Sequence, residues 1–242
     1  MLLRTAGIEP GMRVLDLGAG PGHVTFQAAE MVGPTGSVVG VDRDERMVDV
    51  GRKRAREANL DNVAFAVGDA RTWRDEQPFD ALVTRLLLFH LPDADDVLRH
   101  HRDALRPGGL ALAIDFDVGA LRTEPPVEIV ARSKTWIEAA FRSAGASPAI
   151  GTRLGVMLDE AGFADVSSLG LQVYLEPRDA AGPKLLSGVV RSLAPQILAE
   201  GIASEEELGL DDLEQRASEE IRDANAVLLL PTVVGAWGRR PS

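Results

Sequence analysis

The chain has 242 residues, 45% of them hydrophobic, and carries 26 Lys and Arg against 37 Asp and Glu, a net charge of -11. A chain of this length can bury a sizeable core, and its excess of acid disfavours nucleic acid and anionic membrane surfaces as partners. It has no cysteine, which excludes disulfides, thiolate metal sites and a cysteine nucleophile. The sequence contains no secretory signal and no apolar run of membrane-spanning length, so we expect a cytoplasmic location.

The first informative pattern lies at residues 14–31, where an apolar strand leads through a glycine-rich turn into a helix. The glycines are Gly18, Gly20 and Gly22, whereas the dinucleotide pattern G-x-G-x-x-G needs glycine at position 23, which is His23. Glycine permits positive φ, and the helix start offers unpaired N–H groups to an anion or carboxylate. The pattern predicts a nucleotide or cofactor site and disfavours a dinucleotide-dependent oxidoreductase.

The next two predicted strands both end in an acid. Asp42 closes the strand 37–42 and follows Gly22 by 20 positions, where a doubly wound fold places a carboxylate on a ribose diol. The alternative role for Asp42 is N-cap of a helix over 43–57. The third strand, 62–69, ends in Gly68 and Asp69. Because parallel strands present their carboxyl ends at one edge of a sheet, we expect these three strand ends to converge on one ligand.

Asp16 together with the three glycines resembles motif I of the class I S-adenosylmethionine-dependent methyltransferases. The strand 79–84 and the segment Arg85-Leu-Leu-Leu-Phe-His-Leu-Pro-Asp93 resemble motif IV of small-molecule and quinone methyltransferases. Arg106-Pro-Gly-Gly109 is similar to the turn before the fifth strand of that family. Five elements thus match in order over about half of the chain.

The resemblance implies an α/β fold with a seven-stranded, mostly parallel, doubly wound Rossmann-like sheet and helices on both faces. It also implies S-adenosyl-L-methionine as cofactor and S-adenosyl-L-homocysteine as product, with Asp42 on the ribose hydroxyls and Arg43 and Met47 beside the adenine. In the family, the residue matching Asp69 accepts from the exocyclic amine, and the next N–H serves a ring nitrogen. The implied cofactor-binding set is Asp16, Gly18, Ala19, Gly20, Gly22, Asp42, Arg43, Met47, Gly68, Asp69, Ala70 and Arg85.

Two residues after the fourth strand are candidates for contact with the acceptor. His90 has an ordinary pKa near neutrality and is the candidate general base, with a structural histidine as the alternative. Arg85 is the candidate substrate contact for a carboxylate or phosphate; the alternatives are an ion pair with Asp115 or Asp117, or a solvated side chain. The acids and histidines at 90–101 have the spacing of an exposed helix, and we expect no metal.

Apolar periodicity, turn residues and charge predict five segments in the chain. Residues 1–118 form the predicted cofactor-binding half, 119–150 a helical substrate-side segment, and 151–175 the last core helix with a sixth strand at 166–175. Residues 176–226 are predicted to form a lid of two helices inserted before the last strand, with a dimerisation arm as the alternative. Residues 227–242 contain the predicted last strand, 227–237, with Pro231 inside it at an edge or bulge.

We therefore expect an enzyme that methylates a small organic molecule, with the acceptor atom open among O, N and C. One alternative is an S-adenosylmethionine-binding enzyme with a non-methylating reaction such as isomerisation, cyclisation or decarboxylation. Another is a non-catalytic binding module. The expected partner of the chain is a small-molecule acceptor, and neither nucleic acid nor a membrane is expected. The sequence leaves monomer and homodimer open.

Overall fold

The computed structural model describes all residues, 1–242. The chain consists of two compact units. Unit 1 comprises Met1–Asp115, Thr152–Leu169 and Val234–Ser242, and unit 2 comprises Phe116–Gly151 and Gly170–Val233. No helix in the structure combines the length and the apolar character that crossing a membrane requires.

Ten strands and nine α-helices make up the chain. The strands are β1 Arg13–Leu17, β2 Ser37–Asp42, β3 Val63–Val67, β4 Phe79–Arg85, β5 Leu105–Asp117, β6 Arg122–Glu124, β7 Ala164–Leu171, β8 Tyr174–Leu175, β9 Val227–Leu229 and β10 Thr232–Arg239. The helices are α1 Leu2–Ala6, α2 His23–Val32, α3 Glu45–Glu57, α4 Ala94–Arg102, α5 Glu128–Ser143, α6 Leu154–Glu160, α7 Ala181–Ala199, α8 Glu205–Leu208 and α9 Leu213–Asp223.

The large sheet has seven strands in the order β3-β2-β1-β4-β5-β10-β7. The strands β3, β2, β1, β4 and β5 pair in parallel, and the order reverses direction between β1 and β4. Open sheets of this kind bind ligands outside the carboxyl ends of the strands at the reversal. The predicted seven-stranded, mostly parallel Rossmann-like sheet is confirmed.

Apolar composition explains why the central strands form. Residues 14–17 of β1 and residues 81–84 of β4 are buried throughout, as expected for parallel strands covered on both faces. The amphipathic helices α2 and α3 contact β1, β2 and β3 and turn their apolar stripes to the sheet. The carboxyl ends of β1, β2 and β4 are thereby fixed to a rigid frame.

Unit 2 contains an antiparallel three-stranded sheet in the order β6-β9-β8. The predicted sixth strand, 166–175, is therefore two strands, because Gln172 interrupts it and donates to the carbonyls of Ala120 and Leu230. The predicted last strand, 227–237, is likewise β9 and β10. Pro231 lies between these two strands rather than inside one, since it has no N–H to give to a ladder.

Residues 176–226 form three helices rather than the predicted two. Gly201 is left-handed after α7, with φ of 64°, and Ser204 begins α8 with a capping box in which its hydroxyl accepts from the Glu207 N–H at 3.2 Å. Gly209, with φ of 49°, ends α8. Within unit 2, α5, α7 and α9 enclose an apolar core that includes Trp136, Val190, Ile197 and Ile221. Whether this segment acts as a lid or a dimerisation arm stays a prediction.

The central strand β1 provides a test of the large sheet. Leu15→Ala removes a side chain that is 1% exposed and should lower the free energy of unfolding by about 2–5 kcal/mol through lost burial and a residual cavity. The matched control is Leu185→Ala, at a side chain 51% exposed on α7, which should change it by about 0.5 kcal/mol or less. Urea denaturation of both variants measures the difference, and equal losses would contradict this account of the core.

Candidate functional site

The glycine-rich turn between β1 and α2 uses a backbone that only glycine adopts readily. Gly18, Gly20 and Gly22 have φ of 75°, 52° and 91°, all in the left-handed region. A Cβ on Gly22 would lie 2.7 Å from Phe65 and 2.8 Å from Phe26, so this glycine is also required by packing. A Cβ on Gly20 would have no heavy atom within 4 Å. The turn is therefore closed on the Gly22 side and open at Gly20.

Most N–H groups of this turn are already bonded within the chain. Gly18 and Ala19 both donate to the Val41 carbonyl, at 2.8 and 3.0 Å, and Gly22 donates to the Ala19 carbonyl at 3.0 Å. The N–H groups of Gly18, Ala19 and Gly22 are therefore not available to a ligand. What the turn offers instead is its shape, because its own hydrogen bonds hold it in place.

Asp42 at the end of β2 is the acceptor for the remaining N–H of the turn. Its Oδ2 accepts from the Gly20 N–H at 2.8 Å and its Oδ1 from the Asp44 N–H at 2.9 Å. Its carbonyl accepts from the Gly68 N–H at 2.9 Å. The alternative role of Asp42 as N-cap is wrong, because α3 begins at Glu45 and Asp44 caps it by accepting from the Arg46 N–H. Each carboxylate oxygen of Asp42 keeps a lone pair for a ligand hydroxyl.

Asp16 is buried under the turn, at 1% exposure, and its Oδ2 accepts from the Thr25 hydroxyl at 2.5 Å. Burial raises the pKa of this carboxyl from its usual 3.8 to about 6, against the opposing effect of the hydrogen bonds from Thr25. Asp42 raises this pKa further, and Arg85 lowers it. Asp16 thus joins β1 to the first turn of α2 beneath the glycines.

Asp69 and Ala70 begin the loop that joins β3 to β4. The Asp69 Oδ1 accepts from the Arg71 N–H at 2.8 Å, and no hydrogen bond of the chain reaches its Oδ2. Gly68 is required here because a Cβ would collide with Trp73. The structure thus brings Asp69 to the same edge of the sheet as Asp42, through the bond between Gly68 and the Asp42 carbonyl.

The turn after β4 packs on the glycine-rich turn. Leu86 has φ of 54°, an uncommon conformation for a non-glycine residue. Leu87 lies close to Gly18: a Cβ on Gly18 would be 3.0 Å from the Leu87 side chain. Asp115, 1% exposed on β5, holds the following 3-10 turn by accepting from the Phe89 N–H at 3.0 Å. β4 and β5 therefore support the turn that carries His90.

Arg85, His90, Arg43 and Met47 are the predicted site residues with the fewest contacts. Arg85 is exposed at the end of β4. His90 is exposed, and its ring lies edge-on to the ring of Phe89, with 4.8 Å between the ring centroids. Loss of hydration and the charge of Arg43 lower the pKa of His90, so the ring is neutral at pH 7. Arg43 is exposed and Met47 half-buried at the start of α3.

Asp93, His100 and His101, at and around α4, bind other groups of the chain. Asp93 accepts two hydrogen bonds from the Arg71 guanidinium, and His101 contacts the Ala70 carbonyl at 2.7 Å. His100 contacts Arg74 at 3.0 Å and the Trp73 carbonyl at 3.2 Å. Sequence analysis missed these contacts, and it missed Thr25 and Leu87, because each of them joins segments that no local pattern relates.

The raised pKa of Asp16 predicts a pH-dependent stability. The native state holds the proton of this carboxyl to a higher pH than the unfolded state does. The contribution of Asp16 to the free energy of unfolding is therefore full below about pH 4 and is lost as pH rises through about 6. Two pKa units correspond to about 3 kcal/mol as an upper bound. Asp16→Asn keeps the shape and an acceptor for Thr25, so its free energy of unfolding should rise relative to wild type between pH 4 and 7. If the free energies of unfolding of wild type and Asp16→Asn changed in parallel with pH, the raised pKa of Asp16 would be contradicted.

Gly20 and Gly22 form a matched pair for testing the turn. Gly20→Ala meets open space and should cost about 1–2 kcal/mol from its left-handed backbone alone. Gly22→Ala adds the collision with Phe65 and Phe26, which should cost about 1–3 kcal/mol more. Urea denaturation separates the two, and an equal loss in both variants would show that packing around Gly22 contributes nothing.

The chain is similar in sequence to known methyltransferases. A methyltransferase domain family model matches residues 8–162. The ubiquinone/menaquinone biosynthesis C-methyltransferase UbiE of Ectopseudomonas mendocina (strain ymp) is 35% identical over 116 residues, 47% of this chain and 45% of that protein. The matched region thus spans less than half the length of this curated relative.

Two solved structures share the fold over the full chain. The YcgJ protein of Bacillus subtilis has a TM-score of 0.62 at 20% identity and covers 100% of this chain and 97% of its own. Phosphoethanolamine N-methyltransferase 2 of Haemonchus contortus, in complex with S-adenosyl-L-methionine, has a TM-score of 0.62 at 22% identity, covering 100% of this chain and 51% of its own. At such identities the likeness shows the fold alone. The family model, matching well over half of the chain, shows that it belongs to the class I S-adenosylmethionine-dependent methyltransferases.

Proposed function

We propose that the chain transfers a methyl group from S-adenosyl-L-methionine to a small organic acceptor and releases S-adenosyl-L-homocysteine. The observation that carries the proposal is the Asp42 carboxylate, which is fixed by the Gly20 and Asp44 N–H groups. A carboxylate held in this way, beside an open glycine, suits the paired hydroxyls of a ribose. The family to which the chain belongs supports the same reading.

The residues present fit this cofactor at three points. Gly20 leaves the space that a Cβ would fill, Asp42 keeps lone pairs for two hydroxyls, and the Asp69 Oδ2 is free to accept from an exocyclic amine. We assign Asp16, Gly18, Ala19, Gly22, Gly68 and Ala70 to the same site as parts of the supporting turns. Arg43 and Met47 are the proposed neighbours of the adenine.

A bound sulfonium is already a strong methyl donor, so the protein has chiefly to align the acceptor and exclude water. For acceptors that hold a proton, His90 is the proposed base, since its neutral ring makes no hydrogen bond within the chain. Arg85 is the proposed contact for an acidic group of the acceptor or for the carboxylate of the cofactor, because it is exposed at the end of β4.

The test of the cofactor is thermal unfolding with S-adenosyl-L-homocysteine and, in parallel, NAD. A ligand at a hundredfold its dissociation constant adds about 2.7 kcal/mol, which should raise the midpoint by about 5–10 °C for a chain of this size. Asp42→Asn should weaken binding by about tenfold to a hundredfold, as expected for a lost hydrogen bond to a charged group. Asp49→Asn, at an exposed carboxylate on α3, is the matched control and should leave binding unchanged.

Two results would overturn the proposal. The first is the absence of a shift with S-adenosyl-L-homocysteine, or a larger shift with NAD. The second is a product that has not gained the mass of a methylene once an acceptor is found, because methyl transfer adds that mass to the acceptor whereas isomerisation, cyclisation and decarboxylation do not. Binding without any turnover across a panel of O-, N- and C-nucleophiles would favour a non-catalytic binding module.

A further inference from the structure

The loop between β3 and β4 contains no helix or strand over residues 68–78, although it carries Asp69. Its own backbone supplies one turn, in which the Thr72 and Trp73 N–H groups donate to the Asp69 carbonyl at 3.0 and 2.8 Å. A loop with so few internal bonds depends on its neighbours for a fixed position. Arg13 on β1 holds its far end through Asp75 and Gln77. The part around Asp69 is held by the Asp42 carbonyl, which accepts from Gly68, and by residues on α4 and just before it.

The first link to α4 is a two-bond ion pair. The Arg71 Nε and Nη2 donate to the two carboxylate oxygens of Asp93 at 2.7 and 2.8 Å. Such fork-to-fork geometry fixes orientation as well as distance. The Arg71 N–H donates to the Asp69 Oδ1 at 2.8 Å, and the Arg71 Nη1 lies 3.7 Å from the same oxygen. Asp93 therefore orients Arg71, and Arg71 orients the Asp69 carboxylate.

The second link is a buried histidine. His101 is 1% exposed and its Nε2 lies 2.7 Å from the Ala70 carbonyl oxygen. A carbonyl only accepts, so Nε2 carries the proton, and burial lowers the pKa of His101 to about 4, which keeps the ring neutral. His101 thus fixes Ala70 through its carbonyl group and leaves the Ala70 N–H unengaged by this contact. We call the Arg71–Asp93 pair and the His101–Ala70 bond together the α4 tether.

We propose that Arg71, Asp93 and His101 are positioning residues that set the preference of the site for adenine, because the α4 tether holds Asp69 where its free Oδ2 meets an exocyclic amine. The inference rests on the proposed function. The inference adds that selectivity for the nucleobase is set by residues that contact the loop and do not contact the ligand. Without the tether, Asp69 still carries its charge but has no fixed direction, so a base with a carbonyl in place of the amine is excluded less strongly.

The test compares the affinities of S-adenosyl-L-homocysteine and S-inosyl-L-homocysteine, which differ in having an amine or a carbonyl at the same ring position. Wild type should prefer the adenosyl ligand by about tenfold to a hundredfold, as expected for a hydrogen bond to a charged acceptor. Asp93→Asn should reduce this preference by about threefold to tenfold. Asp93 makes no side-chain cap bond to α4, so the substitution leaves the helix start intact. Isothermal titration calorimetry on the full chain measures both ligands.

The matched control is Asp96→Asn, which removes an exposed ion pair with Arg99 in the first turn of the same helix and should leave the preference unchanged. Arg71→Gln should lower the preference as Asp93→Asn does, and the double variant should lose no more than either single one, because the two residues act through one bond. For the second link, His101→Gln keeps an N–H donor and should retain more of the preference than His101→Leu. Asp69→Asn should abolish or reverse it, since an amide can donate to the inosyl carbonyl.

The outcomes separate this inference from the function on which it rests. If wild type binds neither ligand, the proposed function fails. If wild type binds both equally, or if folded Asp93→Asn and Arg71→Gln proteins keep the full preference, the inference fails and the proposed function stands. A tether that only stabilised the fold would weaken both ligands by the same factor, which would also overturn the inference.

Discussion

The site depends first on the hydrogen bonds that Asp42 accepts. One residue at the end of β2 accepts from Gly20 in the turn after β1, from Asp44 before α3, and from Gly68 at the end of β3. Three segments that are distant in sequence are thereby held within one residue's reach. Because the donors are backbone N–H groups, this arrangement depends on backbone position and tolerates side-chain variation around it. A change at Asp42 would consequently disturb the shape of the proposed site as well as the proposed contact with the ribose.

The three carboxylates at this edge of the sheet are satisfied chiefly by neutral donors. Asp16 accepts from Thr25, Asp42 from two N–H groups, and Asp69 from the Arg71 N–H. Neutral donors orient a carboxylate without cancelling its charge, whereas a close cation would do both. The full cation contact goes instead to Asp93, which lies outside the proposed ligand site. Asp42 and Asp69, unlike the buried Asp16, are thus placed for the hydroxyl and amine groups of the proposed ligand.

Sequence patterns predicted the parts of the site that depend on local chemistry. Three glycines in five residues favour a tight turn with left-handed backbone, and acids at strand ends meet at one edge once the strands are parallel. The supporting contacts are non-local: His101 lies 31 positions from Ala70, and Asp115 lies 26 positions from Phe89. Nothing in the sequence near His101 indicates that a carbonyl of another loop is its partner. The small sheet was missed because β8 and β9 have two and three residues, too few to show alternation.

The order of the large sheet also bears on how the chain is made. β10 lies between β5 and β7, yet it is the last strand in the sequence. During synthesis β7 leaves the ribosome with its sheet partner still untranslated, and residues 172–231 must follow before β10 can pair with both neighbours. Until then β5 and β7 both present unpaired edges, which are the edges that associate wrongly between nascent chains. The large sheet is therefore completed only after residues 172–231 have been made, and a chain stalled before β10 would keep both of these edges unpaired.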